Sequence, residues 1–420
     1  MIIPVCEICK GGKLLCGRKF CPIIQRLNFW KSTIENVKDS FFGTSPPSVF
    51  VGRFNYPRVN VGILSPPIEA DDAEKLDSPE IWYEEQSTIR EILDYRSEMI
   101  NSRTVYSVKR PKGNLLETMQ ELAMAKEATD VEVWLKSKPK FRFSVNNFMP
   151  PIGNPAVIKE AKITENVKIP RKVDEVVYDT DMKATEATVS LYSHSIPVSK
   201  IEKIFSVGLL GLPFQRKLVP TRWSITGVDD IIGKELRKKV KNYPELSEFQ
   251  VFHNEYIGNH YEIVLIPDAY EYELIEVKHP KSVWNPNGTQ PAIYSDYEPY
   301  WGRKDYASAT AGAFYAGRLS VLEYLDKIKR QASILIIREV LPEYYAPLGI
   351  WQFRETVRGA FENRPGKFDD LNLALKNVSQ RLKIRLENVR RVSKLLRKIK
   401  EQKKIQFFTR NVQDFPKPVT

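Results

Sequence analysis

All four cysteines of the chain fall within its first twenty-one residues, as Cys6-x2-Cys9-x6-Cys16-x4-Cys21. Two close pairs of thiolates suit one tetrahedral zinc ion. Zn²⁺ favours thiolate sulfur, and a C-x2-C turn lets two ligands reach the same ion. Gly11, Gly12 and Gly17 supply the backbone freedom such turns need. Disulfides are the competing use, but no secretory signal accompanies the cluster and a C-x-x-C loop is a poor structural bridge. The expectation is a structural Zn²⁺ site held by Cys6, Cys9, Cys16 and Cys21 and closed to substrate. That use leaves no thiol for a Cys–His nucleophile. His194, His253, His260 and His279 are scattered and suggest no ligand set.

Two spots offer carboxylates to a metal. Pro267-Asp268, followed after seven residues by Glu276-Val277-Lys278, resembles the PD…(D/E)xK signature of metal-dependent nucleases. There, two carboxylates on adjacent strands hold Mg²⁺ or Mn²⁺, and the lysine stabilises charge developing on the phosphate or its attacking water. The signature is short, and an exposed strand rich in Tyr, Glu and Lys is its ordinary explanation. Asp179-x-Asp181, at an expected strand-to-helix junction, is a second candidate pair, for which helix capping is the commoner use. A third kind of chemistry lies in Arg216-Lys217…Arg222-Trp223, where cations beside an aromatic face suit a phosphate and a stacked base. Ion pairing with Asp229 or Asp230 competes for those cations. Thr226 and Asp229 are spaced like a capping box. Gly312 and Gly317 lack the G-x-G-x-x-G spacing and read as aids to close helix packing.

The elements that must position these residues sit in a chain of 420 residues with 42% hydrophobic side chains, enough for a large core. No apolar run approaches the ~20 residues of a membrane span. Residues 1–5 are too short for a signal sequence, so a soluble, cytoplasmic protein is expected. The net charge is +12, with +5 in residues 1–31, +10 in residues 365–410 and −3 in the remainder. Both ends are basic and would draw a polyanion first.

Strands are expected over 48–53 and 58–63, joined by a Tyr56-Pro57 turn, and over 173–178 and 333–340. The strands 261–266 and 272–278 read as an antiparallel pair. Helices are expected over 79–101, 114–138, 199–209, 228–242, 304–328 and 348–361. The mixture predicts an α+β fold, a body of mixed helices and sheet, with the N-terminal four-cysteine zinc module and a long basic C-terminal helix. The units are 1–31 (zinc module), 32–364 (body), 365–406 (basic amphipathic helix) and 401–420 (tail). Along the C-terminal helix, apolar residues from Leu371 to Ile399 recur with a mean step of 3.5, a coiled-coil-like seam that must bury against the body, a second copy or a partner.

In the tail, Gln402, Ile405 and Phe408 resemble the peptide box that docks replication and repair proteins on the sliding clamp PCNA. A 3₁₀-like turn would put Ile405 and Phe408 on one side as an apolar plug. Phe407 comes one position before the first expected aromatic, and Thr409 stands where the second belongs. The alternative is that Phe407 and Phe408 end the helix against the core.

The chain as a whole resembles the archaeal Nre proteins of the NreA type, a family associated with DNA repair. The resemblance rests on Cys6-Glu7-Ile8-Cys9 with Leu15-Cys16-Gly17-Arg18-Lys19-Phe20-Cys21-Pro22, and on Phe50-Val51-Gly52-Arg53 with Tyr56-Pro57. It continues in Tyr178-Asp179-Thr180-Asp181, in the block from Arg216 to Thr226, in Arg330-Gln331-Ala332 and in Leu348-Gly349-Ile350-Trp351. It implies a DNA-repair protein with a zinc motif and a PCNA-docking peptide (Gln402, Ile405, Phe407, Phe408), and with the charge distribution the first reading is a clamp-tethered repair factor that touches DNA through its basic ends. It implies no catalytic residues. A metal-dependent DNA nuclease and a scaffold dimerising through the C-terminal helix are the alternatives.

Overall fold

The computed structural model describes Cys9 and residues 12–15, 17, 19–21, 24, 31, 34, 36–109, 111–139 and 151–401. Cys6, Cys16 and the docking-like peptide at Gln402, Ile405, Phe407 and Phe408 lie outside the described residues.

The first sheet runs in the order β1-β5-β6-β4-β3-β2. Its strands are β1 (Ser40–Ser45), β2 (Ser48–Val51), β3 (Arg58–Ser65), β4 (Ile100–Ser107), β5 (Thr129–Ser137) and β6 (Asn154–Ile163). The expected pair around Tyr56-Pro57 is present, with Val51 opposite Val61. β1 and β2 sit at opposite edges yet are joined by Pro46-Pro47 alone. Three Cα steps reach at most ~11 Å, so the sheet must curl until its edges approach. The Ser45 hydroxyl at the end of β1 accordingly donates to the Leu64 carbonyl of β3 (2.8 Å).

The helices expected over 79–101 and 114–138 are shorter than the sequence suggested. Residues 79–101 give α1 (Pro79–Glu84), α2 (Ile89–Ser97) and the start of β4, while 114–138 gives α3 (Asn114–Met124) and β5. Gln86, at φ 53°, breaks the first run, and a Thr88–Glu91 capping box starts α2. In β5 the buried Thr129, Val131, Val133 and Leu135 alternate with outward Asp130, Glu132 and Trp134, a period of two.

Four helices follow: α4 (Arg171–Tyr178), α5 (Ala184–Ser193), α6 (Val198–Ser206) and α7 (Thr221–Val240). The strand expected over 173–178 is α4 instead. Val173, Val176 and Val177 share its buried face at i, i+3 and i+4, and Arg171 pairs with Glu175 one turn on (2.9 Å). Helix α7 starts directly after Pro220, so Thr226 and Asp229 lie inside it and form no capping box at its start.

The second sheet runs β10-β9-β11-β8-β7-β12. Its strands are β7 (Phe249–Tyr256), β8 (Asn259–Ile266), β9 (Glu271–Lys278), β10 (Ala292–Glu298), β11 (Ser333–Val340) and β12 (Gly366–Phe368). β8 and β9 do not pair as expected. β11 lies between them, antiparallel to β8 and parallel to β9. One face of β11 (Ile334, Ile336) joins the main core with α7, α8 (Gly312–Ile328) and α9 (Trp351–Ala360). The other face (Leu335, Ile337) packs under the C-terminal helices. Burial on both faces explains its uninterrupted apolar run. Gly317 permits the close packing expected of it: a Cβ there would lie 2.6 Å from Phe353 and 2.7 Å from the Tyr272 hydroxyl.

The single long helix expected over 365–406 is β12 followed by α10 (Leu371–Ser379), α11 (Leu386–Val392) and α12 (Lys394–Glu401). Two glutamates of the sheet fix the breaks. Glu339 accepts the Lys383 and Ile384 N–H groups (both 2.9 Å). Glu273 accepts the Ser393 hydroxyl and the Lys394 and Leu395 N–H groups (2.5–3.0 Å). The apolar seam is buried on the chain's own sheet, with Leu375, Val378, Val389 and Leu396 against Val264, Ile275 and Leu335. No helix among the described residues is long and apolar enough to cross a membrane.

Candidate nucleic-acid interface

The carboxylates read as metal ligands are held apart or engaged locally. Asp268 sits in the turn after β8, where its Oδ1 accepts the Ala269 N–H (2.9 Å). That turn lies at the Ser333 end of β11, whereas Glu276 is paired opposite Arg338, five positions along. At ~3.3 Å per residue this is about 17 Å, too far to share an ion. Glu276 instead receives Arg338 at 2.5 Å and Lys278 at 3.7 Å. Burial pushes the Lys278 amine below its ordinary value, with Glu276 opposing. Asp179 and Asp181 lie between two helices. The Asp179 carboxylate accepts the Asp181 and Met182 N–H groups (2.8 Å each), closing a turn that ends before α5, whose N-cap is Lys183, so the expected helix capping gives way to a local side-chain turn. Among the described residues, no group of three or more His, Cys, Asp or Glu side chains is placed to hold a metal. Cys9 is buried and Cys21 half-buried.

The Arg216–Trp223 segment divides by role. Arg216 faces inward: its Nε donates to Gly211 O (2.8 Å) and its Nη2 to Val177 O (2.7 Å), closing the C-terminus of α4. Lys217 is exposed and in a bridge with Lys109. Trp223, in the first turn of α7, is exposed and meets Tyr56 from the β2–β3 turn, with ring centroids 5.3 Å apart. The contact is supported from below, since the Val51 N–H donates to Thr221 Oγ1 (2.9 Å). The carboxylates expected to compete for the cations have other partners. Asp229 receives Arg354 at 2.5 Å, and Asp230 receives Arg318 and Lys234 at 2.6 Å each. The structure therefore joins two blocks far apart in sequence, Phe50–Pro57 and Arg216–Thr226, into one surface.

Beneath that surface lies a largely apolar cavity of about 60 Å³ into which Ser48, Asp77, Arg96, Glu202, Lys203 and Thr221 bring polar groups. Burial alone would raise the Asp77 carboxyl. Arg96 and Lys203 (3.0 Å) outweigh it and hold the group below the usual range. Glu202 is pushed up to about 7 by burial, against the pull of Arg354 at 2.8 Å. These buried ion pairs join residues tens to more than a hundred positions apart, so no local spacing in the sequence signals them.

The C-terminal basic residues divide in the same way. Arg381 forks onto Glu262 (2.6 and 2.7 Å), Lys398 reaches Glu271 and Lys367 reaches Glu248 (2.5 Å). These pairs dock the segment on an acidic sheet. Lys383, Arg385, Arg390, Arg391, Lys394, Arg397 and Lys400 remain on the outer surface, where Glu387 and Glu401 are the exposed acids of α11 and α12.

Two six-stranded sheets, one curled and one covered on both faces, define a mixed α/β protein. Residues 15–285 match the family description "Archaeal Nre, N-terminal" and residues 298–408 match "Archaeal Nre, C-terminal", and the chain belongs to the archaeal Nre family. It is 40% identical to DNA repair protein NreA of Archaeoglobus fulgidus over 385 residues, covering 91% of this chain and 95% of the relative. It is 39% identical to DNA repair protein NreA of Haloferax volcanii over 388 residues, covering 90% and 92%. DNA repair protein NreB of Archaeoglobus fulgidus is 36% identical over 375 residues, covering 89% and 92%. No solved structure matches the chain. The gap between the two family segments, residues 286–297, takes in nearly all of β10, inside one sheet.

Proposed function

We propose that the chain is a DNA-repair factor recruited to the sliding clamp PCNA by its C-terminal peptide and contacting DNA through basic surfaces. Relatives named as DNA repair proteins, matched over nine-tenths of the chain, support the repair role. The observation that carries DNA contact is the outer face of α11 and α12, where basic side chains outnumber acids after the sheet's glutamates have taken their partners. Gln402, Ile405, Phe407 and Phe408 follow directly on α12. A clamp-bound peptide there would hold this face near DNA at ~mM effective concentration. Cys6, Cys9, Cys16 and Cys21 are proposed as a structural zinc set, an arrangement suited to thiolate-preferring Zn²⁺.

Deleting residues 402–420 is expected to abolish clamp binding in calorimetry while leaving the unfolding transition unchanged; undiminished clamp affinity rules the peptide out. Replacing Arg390 and Arg391 with Glu should lower the slope of log K against log salt for duplex DNA by about 2. An unchanged slope would remove this face from the DNA contact. Metal analysis of protein purified without added zinc should find about one Zn²⁺ per chain, and four titratable thiols without metal would reject the zinc set.

A further inference from the structure

Beyond α11 and α12, one long side of α7 carries a row of exposed aromatic rings. Residues 299–306 run lengthwise beside this helix. Tyr306 is hydrogen-bonded to Thr226 and lies close to Arg222 near the helix start. Gly302 lies against Arg237, where an added Cβ would meet the guanidinium at 2.3 Å. Lys241, at the helix end, sits 3.7 Å from the Tyr300 ring centroid and 5.5 Å from that of Trp301. Positions 222, 226, 230, 237 and 241 form one stripe of the helix, so the turn-containing segment 299–306 follows that stripe from end to end. Trp223 and Tyr56 extend the row past the helix start, and Phe54 follows beneath the Arg53 guanidinium (4.9 Å).

Phe54, Tyr56, Trp223, Tyr306 and Trp301 are 69%, 51%, 47%, 44% and 84% exposed. Single exposed rings are ordinary, but five in a row interleaved with cations are not. Arg58 and Lys304, on the segments that carry the rings, are exposed, as is Lys234, which pairs with Asp230 of the same stripe. The acids of the region are largely engaged. Asp296 takes Thr310 and Arg303, Glu298 takes Arg318 and Arg237, and Asp230 takes Arg318 and Lys234. Of residues 299–306, only Asp305 is acidic.

We infer that this side of α7 is a binding track for single-stranded DNA, with the rings stacking on unpaired bases and the cations following the phosphates. Duplex DNA keeps its base faces covered, so solvent-facing rings can stack only on an unpaired strand. From Trp223 to the helix end is about 26 Å, room for ~8 nucleotides at the ~3.4 Å spacing of a stacked strand. The inference rests on the DNA reading above but uses a different surface from the C-terminal helices.

The test uses full-length protein, an oligothymidylate of about twelve nucleotides and a duplex of equal length, read by fluorescence anisotropy at fixed salt. Trp301→Ala and Tyr56→Ala should each weaken oligothymidylate binding by about tenfold and leave duplex binding unchanged. Trp301→Tyr should restore most of the loss. The Arg390/Arg391 reversal should show the opposite pattern, so the two surfaces succeed or fail separately. Unchanged oligothymidylate affinity in both alanine variants, no oligothymidylate binding by the wild type, or equal competition by polyglutamate would each overturn the track. Trp301 is too exposed for its replacement to unfold the chain, and an unchanged denaturation midpoint checks this.

Discussion

Arg354 shows how much of this molecule is decided by single buried side chains. It is fully enclosed and its Nη1 donates to both Glu202 (2.8 Å) and Asp229 (2.5 Å), tying α9 to α6 and α7. The second oxygen of Asp229 has no hydrogen-bond partner. Two carboxylates held by one guanidinium tolerate its loss poorly. Arg354→Met is expected to cost about 3–5 kcal/mol in urea unfolding at neutral pH. The pH dependence follows from Glu202, whose folded value is raised to about 7 from 4.5. Between those values the native state keeps a proton that the unfolded chain releases, so stability falls as pH rises across that window. Arg354→Met should steepen that fall, and a flat stability profile from pH 4.5 to 7 would refute the assignment. Such pairs were illegible in the sequence because their members are 125 and 152 positions apart. The turn made by Asp179, by contrast, is local, and the sequence marked its position while misassigning it as a helix cap, because the helix starts only at Ala184.

At the level of elements, the C-terminal segment shows a hydrophobic pattern correctly marking the buried side chains while misreporting the backbone. A mean repeat of 3.5 fits one continuous helix. The side chains in that seam do pack on the sheet, but the helix is broken twice. No Pro or Gly marks the breaks, because the groups that fix them, Glu339 and Glu273, belong to β11 and β9. Each carboxylate satisfies N–H groups that a continuous helix would use internally. Glu273→Ala is expected to cost about 1–2 kcal/mol and to speed hydrogen exchange over 386–401 while leaving 333–340 protected. Equal protection in the variant would show that packing alone positions α12. The helix-for-strand error at 173–178 has a related cause: three valines favour a strand locally, but their 3.6-residue spacing places them on one helix face.

For the molecule as a whole, β11 is the organising strand. It pairs with β8 on one side and β9 on the other, and its two faces contribute to separate cores. Neither family segment can therefore close the second sheet alone, since β7 to β9 belong to one, β11 and β12 to the other, and β10 lies almost wholly in the gap between them. Fragments 1–290 and 291–420 should each lack cooperative unfolding when expressed singly and regain it when co-expressed. A cooperative transition in fragment 1–290 alone would contradict this. The sequence revealed β11 as a buried strand but could not show its neighbours, because β8 and β9 sit close in sequence and look like a hairpin. The four-cysteine cluster and the tail peptide are proposals that rest on local spacing alone, whereas the α7 surface needed the fold to join residues 54–56, 223 and 301–306.

The place of β11 also sets an order on synthesis. β8 and β9 leave the ribosome with their facing edges bare, and about fifty residues must follow before β11 emerges, roughly 3–10 s at ~5–20 residues per second. During that interval a premature β8–β9 hairpin is the nearest competing structure. The nascent chain must keep that gap open, and an open pair of apolar edges is the state in which a chaperone would meet this protein.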